Sequence, residues 1–251
     1  MARSQNRYAI DDSEISNVGN ESEAACSDLA SVTDSLQGLI DTSKVVELEC
    51  IDVDSLPRKF FYRAVKRFFD IASCSLALVF LAIPMACIAI GVKMSSPGPI
   101  LYRQERLGLN GRPITVVKFR SMYMNAEEDG AKWASADDPR VTPLGRKLRE
   151  KRLDELPRLV AVIKGDMSLV GPRPEREVFY DAFEPYIRGF RQRLLVQPGL
   201  TGLAQVNGGY DLLPEEKIVY DLRYIEKQGF AIDCSILWKT LGVLFSYDGA
   251  R

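Results

Sequence analysis

The stretch IASCSLALVFLAIPMACIAIGV, residues Ile71 to Val92, runs for 22 residues with no charged side chain and one proline, Pro84. That length suits a bilayer-embedded helix. Leu, Ile, Val and Phe fall on every face, more than the core of so small a domain could cover. Two features argue against a simple crossing. Pro84 lies near the middle, where it removes a hydrogen bond and kinks or breaks a helix. Bases also bracket the run on both sides, Arg58, Lys59, Arg63, Lys66 and Arg67 before it and Lys93, Arg103, Arg106 and Arg112 after it. The positive-inside rule therefore gives it no direction. A proline-broken helix that enters the membrane and returns to the same face accounts for both features.

Just upstream, residues 57 to 67 mix aromatics with five bases, the composition of a helix lying among lipid headgroups. Residues 1–56 carry twelve acids against three bases, a net of −9, which leaves +8 for the rest of a chain whose net charge is −1. This acidic, Ser-rich stretch has no sustained helical or strand period and is expected to be a disordered tail. No cleavable signal peptide is expected, because the apolar run begins far from Met1 and no small-residue cleavage site follows it. The basic remainder suits an anionic membrane surface, a nucleotide or a nucleic acid. With 251 residues, 46% of them hydrophobic, the chain can fill one globular core and carry an appendage. Histidine is absent, which excludes Ser-His-Asp and Cys-His catalysis and every His-bearing zinc site. The five cysteines show no CxxC spacing and read as reduced thiols in a cytosol-facing protein.

Downstream, Ser96-Pro97-Gly98-Pro99 is a turn. Ile100–Tyr102 and Ile114–Phe119 then read as a short β-hairpin about Gly108–Gly111, and residues 126–136 as a loop or short helix. Helical spacing from Pro143 to Arg152 places Arg146, Lys147, Arg149, Lys151 and Arg152 just before Leu153-Asp154-Glu155-Leu156-Pro157. Adjacent carboxylates are costly unless a cation or an arginine compensates them, and a divalent metal would do so. In Gly171-Pro172-Arg173-Pro174 the two prolines stiffen an extended mount, as bidentate phosphate recognition by Arg173 requires. Together these features suggest phosphate chemistry. Asp166 reads first as structural, holding the turn at Gly165, with a catalytic part as the alternative. Aromatics at helical spacing between Glu175 and Leu195 fit either core packing or a membrane-surface helix. Leu203–Val206 reads as a strand and Pro214–Lys227 as a helix starting at proline. A closing apolar stripe (Ile232, Ile236, Leu237, Leu241, Leu244, Phe245) fits a core or an interfacial helix. The expected fold class is α+β, mainly α: a tail (1–56), a basic-aromatic segment with a re-entrant membrane helix (57–94), and a small cytosolic catalytic domain (95–251) carrying the hairpin and interfacial amphipathic helices.

Taken in order, Lys66-Arg67-Phe68-Phe69-Asp70, Pro97-Gly98-Pro99 with Arg103-Gln104, Lys118-Phe119-Arg120-Ser121-Met122, Leu153–Pro157, Lys164–Ser168, Gly171–Pro174 and Pro198–Gly202 with Gln205-Val206 resemble the bacterial sugar transferase family, the monotopic polyprenyl-phosphate phosphoglycosyl transferases. The resemblance covers about residues 59–249 and is to the shorter, exopolysaccharide-type members. It implies transfer of a sugar 1-phosphate from a UDP-sugar to undecaprenyl phosphate with release of UMP. The reaction would begin exopolysaccharide, capsule or other surface-glycan assembly and feed downstream glycosyltransferases. By the same resemblance Asp154 is the nucleophile, forming a phosphosugar-aspartate, and Glu155 shares the metal or manages the proton. Arg149, Arg173, Lys118 and Arg120 contact phosphate or nucleotide. Mg2+ sits at Asp154 and Glu155, Pro84 is the membrane hinge, and Lys66, Arg67 and Asp70 anchor the helix at the interface. The implied location is the bacterial inner membrane with the catalytic domain facing the cytoplasm, as a homodimer by analogy and with no nucleic acid partner. One departure is the hinge, Ile83-Pro84 here and often Ser-Pro in the family. The alternative reading is a membrane-surface scaffold without catalysis.

Overall fold

The computed structural model describes residues 45–51, 60–126, 138–208 and 212–246. A two-residue strand, β1 (Val46–Glu47), precedes helix α1 (Phe60–Ser95), which has 36 residues and is about 54 Å long at 1.5 Å per residue. The apolar run is thus the centre of a longer helix. Pro84 lies inside it without ending it, since one proline removes one hydrogen bond and the neighbouring turns keep theirs.

One stripe of α1 faces the protein. Cys74, with Ala77, Leu78 and Leu81, packs against Leu159, Val162 and Met167. Further along, Val92 with Met85, Ile88 and Ala89 packs against Phe119 and Leu148. The opposite stripe is bare: Leu76, Val79, Phe80, Ile83 and Ile90 are all exposed. Among the described residues α1 is the one helix long and apolar enough to cross a membrane.

The expected hairpin is present as β2 (Leu101–Leu107) and β3 (Pro113–Phe119), paired antiparallel from Leu101↔Phe119 to Leu107↔Pro113. Side chains alternate along a strand, so Gln104, Arg106 and Lys118 share a face. Helix α2 (Pro143–Glu150) starts at proline, and its cap residue Thr142 accepts the Gly145 amide at 2.9 Å. Arg152 then reverses the chain in the left-handed region, φ 53°, a conformation costing a non-glycine residue about 1–2 kcal/mol. A 3₁₀ turn (Leu153–Arg158) leads into α3 (Leu159–Lys164), which Gly165 closes at φ 97°.

Strand β4 (Ser168–Val170) pairs in parallel with β6 (Gly199–Thr201). Gly171 and Gly199 approach so closely that neither has room for a Cβ. This pairing corrects the expectation of a strand at Leu203–Val206: the glycines allow it one element earlier, and Leu203–Val206 is the single-turn helix α5.

Between those strands, α4 (Glu177–Phe183), β5 (Ile187–Arg188) and a 3₁₀ turn (Phe190–Leu195) carry the aromatics. Phe179, Tyr180, Phe183, Ile187 and Phe190 are buried with Ile218, Leu222 and Ile225 of α6 (Pro214–Lys227), so core packing is the reading that holds. Helix α7 (Phe230–Ser246) is divided: Ile236 is buried, while Phe230, Trp238 and Leu241 point outward. The fold is mainly helical, with three two-stranded sheets among the described residues.

Of the stretch read as a tail, 1–56, only 45–51 are described. There β1 pairs in parallel with β5 (Val46↔Ile187), and Leu48 and Ile51 pack on the main core. The loop expected at 126–136 lies almost wholly outside the described residues. Four cysteines, Cys50, Cys74, Cys87 and Cys234, are unpaired thiols.

Candidate active site

The 3₁₀ turn after Arg152 packs against β3 and places Asp154 and Glu155 in a cavity of about 130 Å³. Ten bases and four acids line it, so it is a strongly cationic hollow with two adjacent carboxylates in its wall. The carboxylates differ. Glu155 Oε1 accepts from Arg173 Nη2 at 2.6 Å and faces Arg158 Nη1 at 3.3 Å. Burial pushes the Glu155 carboxyl up, but Arg158, Arg173 and Arg152 outweigh it and hold the group far below the ordinary carboxylate range. Asp154, 6% exposed, has no side-chain hydrogen bond or ion pair among the described residues. Burial, then the neighbouring charge of Glu155, pushes its carboxyl up to about 6 against the pull of Lys118, Arg158 and Arg149. One carboxylate is thus fixed and compensated. The other is buried and unattached among the described residues.

The bases divide in the same way. Burial, with Arg106 and Arg158 nearby, pushes the Lys118 ammonium down to about 7, and Asp154 opposes the shift. Lys118 also lies over the Tyr102 ring, 5.2 Å from its centroid. Arg149 lines the cavity and makes no hydrogen bond or ion pair among the described residues. It is a guanidinium open to an anion.

Of the residues expected from sequence, Asp154, Glu155, Arg149, Arg173 and Lys118 meet in this cavity. Arg120 does not. Its guanidinium donates to the carbonyls of Pro97 (2.6 Å) and Ser96 (2.7 Å), tying the end of α1 to β3. Lys66, Arg67 and Asp70, expected at the membrane interface, also turn toward the protein. Lys66 pairs with Asp233 at 2.7 Å, Arg67 donates to the carbonyls of Val162 (2.5 Å) and Ile163 (2.6 Å), and Asp70 accepts the Leu169 amide at 3.3 Å. Asp166 is not part of the cavity wall. Sequence reasoning missed Arg158, Arg106, Arg193 and Lys217. Arg158 stands right after Pro157 and could have been read with the dyad, and strand alternation puts Arg106 on the same face of the hairpin as Lys118. Arg193 and Lys217 had no local signal.

Among the described residues no three His, Cys, Asp or Glu side chains converge as a metal cage. The unattached carboxylate offers one ligand to a magnesium ion, which keeps waters and takes most other ligands from substrate phosphates, so that the surplus bases face the diphosphate and not the metal alone. Asp154, with Glu155 beside it, would hold such an ion.

A helix with a bare apolar stripe, long and apolar enough to cross a membrane, is thus joined to a body whose cationic, carboxylate-bearing hollow suits an anion. The chain belongs to the bacterial sugar transferase family, which it matches over residues 61–247. It is similar to the UDP-N-acetylgalactosamine-undecaprenyl-phosphate N-acetylgalactosaminephosphotransferase of Aeromonas hydrophila, at 37% identity over 88% of this chain and 52% of that protein. It is also similar to two proteins named UDP-glucose:undecaprenyl-phosphate glucose-1-phosphate transferase. The Escherichia coli protein is 41% identical over 71% of this chain and 40% of its own length. The Caulobacter vibrioides protein is 38% identical over 74% and 71%. The chain thus spans about half the length of the first two relatives.

Proposed function

We propose that the protein transfers a sugar 1-phosphate from a UDP-sugar to undecaprenyl phosphate at the cytoplasmic face of the bacterial inner membrane. The single observation that carries this is the divided dyad: a fixed, arginine-bound Glu155 beside an unattached, buried Asp154. Above about pH 6 Asp154 is a carboxylate with no donor among the described residues to satisfy it. Its oxygen attacks the β-phosphorus of the UDP-sugar, the bond from that phosphorus to the bridging oxygen breaks, and UMP leaves. An oxygen of the lipid phosphate then attacks the same phosphorus, the bond to Asp154 breaks and the carboxylate is restored. The acyl phosphate between these steps is a mixed anhydride, reactive enough for the second transfer. Arg149 and Lys118 offset charge on the phosphates, and Arg173 holds Glu155 in place. Mg2+ bound with the diphosphate would neutralise charge gathering on the leaving oxygens.

The test uses full-length protein in nanodiscs with undecaprenyl phosphate, Mg2+ and a panel of UDP-sugars. UMP release from at least one sugar is expected. No UMP from any of them would favour the scaffold reading. The relatives' names cover glucose and N-acetylgalactosamine, so the panel includes both.

The helix enters and leaves the membrane on one side in this reading. What supports it is that both ends of α1 are tied to the same body: Lys66 and Arg67 to Asp233, Val162 and Ile163 at the start, Val92 and Ser96 to Arg120 at the end. A crossing would draw one of these polar sets through hydrocarbon. A membrane-impermeant maleimide applied to sealed cells is expected to spare both Cys50 and a cysteine at Arg112→Cys, in a background lacking the other native thiols. Labelling of either from outside would end the re-entrant topology.

Helix α7 is proposed to lie at the interface beside α1. Phe230 packs edge-on against Tyr62 of α1 at 5.2 Å, next to the exposed Phe60 and Phe61, and Trp238 is 78% exposed, as expected of an interfacial aromatic. In a Trp133→Phe variant, brominated lipids should quench the Trp238 emission. Unquenched emission would remove α7 from the bilayer.

A further inference from the structure

The segment bearing Arg173 is held in an unusual way. Pro172 and Pro174 have no N–H, so this segment cannot be secured through its own donors at those positions. Its carbonyls carry the attachment instead. Pro172 O accepts from the Gly199 amide at 2.8 Å, and Glu175 O from the Leu107 amide at 3.0 Å. The two carbonyls between them are taken by side chains: Arg173 O by Arg193 Nη2 at 3.0 Å, and Pro174 O by Arg106 Nη1 at 2.7 Å. Four successive carbonyls are thus held from β6, from the 3₁₀ turn at Phe190–Leu195 and from β2.

Both guanidinia have their own carboxylate. Arg193 Nε donates to Asp221 Oδ2 at 2.7 Å, with both side chains buried, and Arg106 Nη1 donates to Glu175 Oε2 at 2.9 Å. Gln104 Oε1 occupies Arg106 further, accepting from Nε at 3.1 Å and from Nη2 at 2.6 Å. Arg149, in the same wall, has no such partner among the described residues.

We infer that Arg106 and Arg193, although they line the cavity, act as positioning residues that clamp the backbone of Arg173 so that its guanidinium meets Glu155, and are not ligands for the substrate's phosphates. The inference rests on the transferase reading for its kinetic consequence only. An anion entering the hollow meets two arginines already neutralised and hydrogen-bonded, and finds Arg149 unoccupied. A clamp slackened by an ångström would displace Arg173 from Glu155, and displacements of that size cost a reaction about 100-fold.

The experiment compares Arg193→Lys and Arg106→Lys with Arg149→Ala in full-length protein in nanodiscs. Lysine keeps the charge but cannot reach a carboxylate and a carbonyl together in the fork geometry of arginine. Either clamp variant should lower kcat for UMP release about 100-fold with KM for the UDP-sugar changed less than about threefold. Calorimetric Kd for inorganic pyrophosphate should stay within about threefold of wild type, whereas Arg149→Ala weakens it about tenfold or more. In an Arg173→Ala background the clamp substitutions should add nothing, since they act through Arg173. A tenfold loss of pyrophosphate affinity in the clamp variants, or effects that multiply with Arg173→Ala, would overturn the inference. Thermal unfolding checks that each variant folds, and Arg106→Lys, on a partly exposed side chain, stands if Arg193→Lys does not. Absence of UMP release by the wild type would sink the transferase reading and leave the pyrophosphate comparison to decide this one.

Discussion

Asp154→Asn is expected to abolish UMP release, by on the order of 10⁴-fold or more, and at the same time to make the metal-free protein more stable at pH 7.5. The two effects have one origin. Asp154 is buried without a partner beside the charge of Glu155, so its carboxyl moves from 3.8 to about 6. A carboxyl whose folded-state pKa is raised holds its proton more tightly when folded. It therefore costs stability above about pH 6, and the cost vanishes below about pH 3.8. The full shift sets an upper limit of about 3 kcal/mol, equivalent to a Tm rise of roughly 6–12 °C for Asn at pH 7.5 in a chain of this size. Melting curves at pH 7.5 and pH 4 with chelator present check this: the gap should be wide at the first and nearly closed at the second. Near-normal UMP release would eliminate Asp154 as nucleophile. Equal melting at pH 7.5 would show that its carboxylate is not destabilised as described. In the wild type, UMP release at low Mg2+ should fall as pH drops through about 6.

The second large effect belongs to the pair Arg193–Asp221. Its side chains are 3% and 1% exposed with 2.7 Å between them, so removing one partner leaves a bare charge in the interior. Asp221→Ala is expected to cost about 3–5 kcal/mol, seen as a lower denaturant midpoint with little change in slope. Replacing both by apolar residues of similar volume, Arg193→Met with Asp221→Leu, should recover most of that loss, because neither charge is then buried. The double variant would nevertheless lack the donor that holds Arg173 O, so it should be stable and slow. If Asp221→Ala melts with the wild type, the pair is not desolvated as its burial indicates.

How much was legible depended on how local the signal was. The apolar run, the hairpin and Pro214–Lys227 were legible because each shows its period or its punctuation locally, although the first hairpin strand runs on to Leu107 instead of ending at Tyr102 and Pro84 does not end its helix. The dyad was legible because Asp154 and Glu155 are adjacent and a basic run precedes them. Roles set across the fold were not. Arg120 stands in a motif with Lys118, yet it lies just past the end of β3, where the Pro97 and Ser96 carbonyls take its guanidinium, so Lys118 reaches the cavity and Arg120 the end of α1. Lys66, Arg67 and Asp70 precede an apolar run in the manner of interfacial anchors. Their partners, Asp233, Val162, Ile163 and Leu169, lie roughly 95 to 167 residues away, a distance no pattern reports. Aromatics around Phe183 had one spacing for two fates, and only the apolar face of α6 decided for the core.

By itself, then, the sequence determined a long apolar helix and a chemistry without histidine: composition excludes that side chain, and 22 uncharged residues need an apolar surrounding. Only the tertiary structure decided which carboxylate is which. Asp154 and Glu155 are neighbours with similar side chains, and what separates them is that Arg173 and Arg158 close on one and burial without a partner awaits the other. Charge compensation is a matter of ångströms between segments distant in the chain, so the fold alone could assign it.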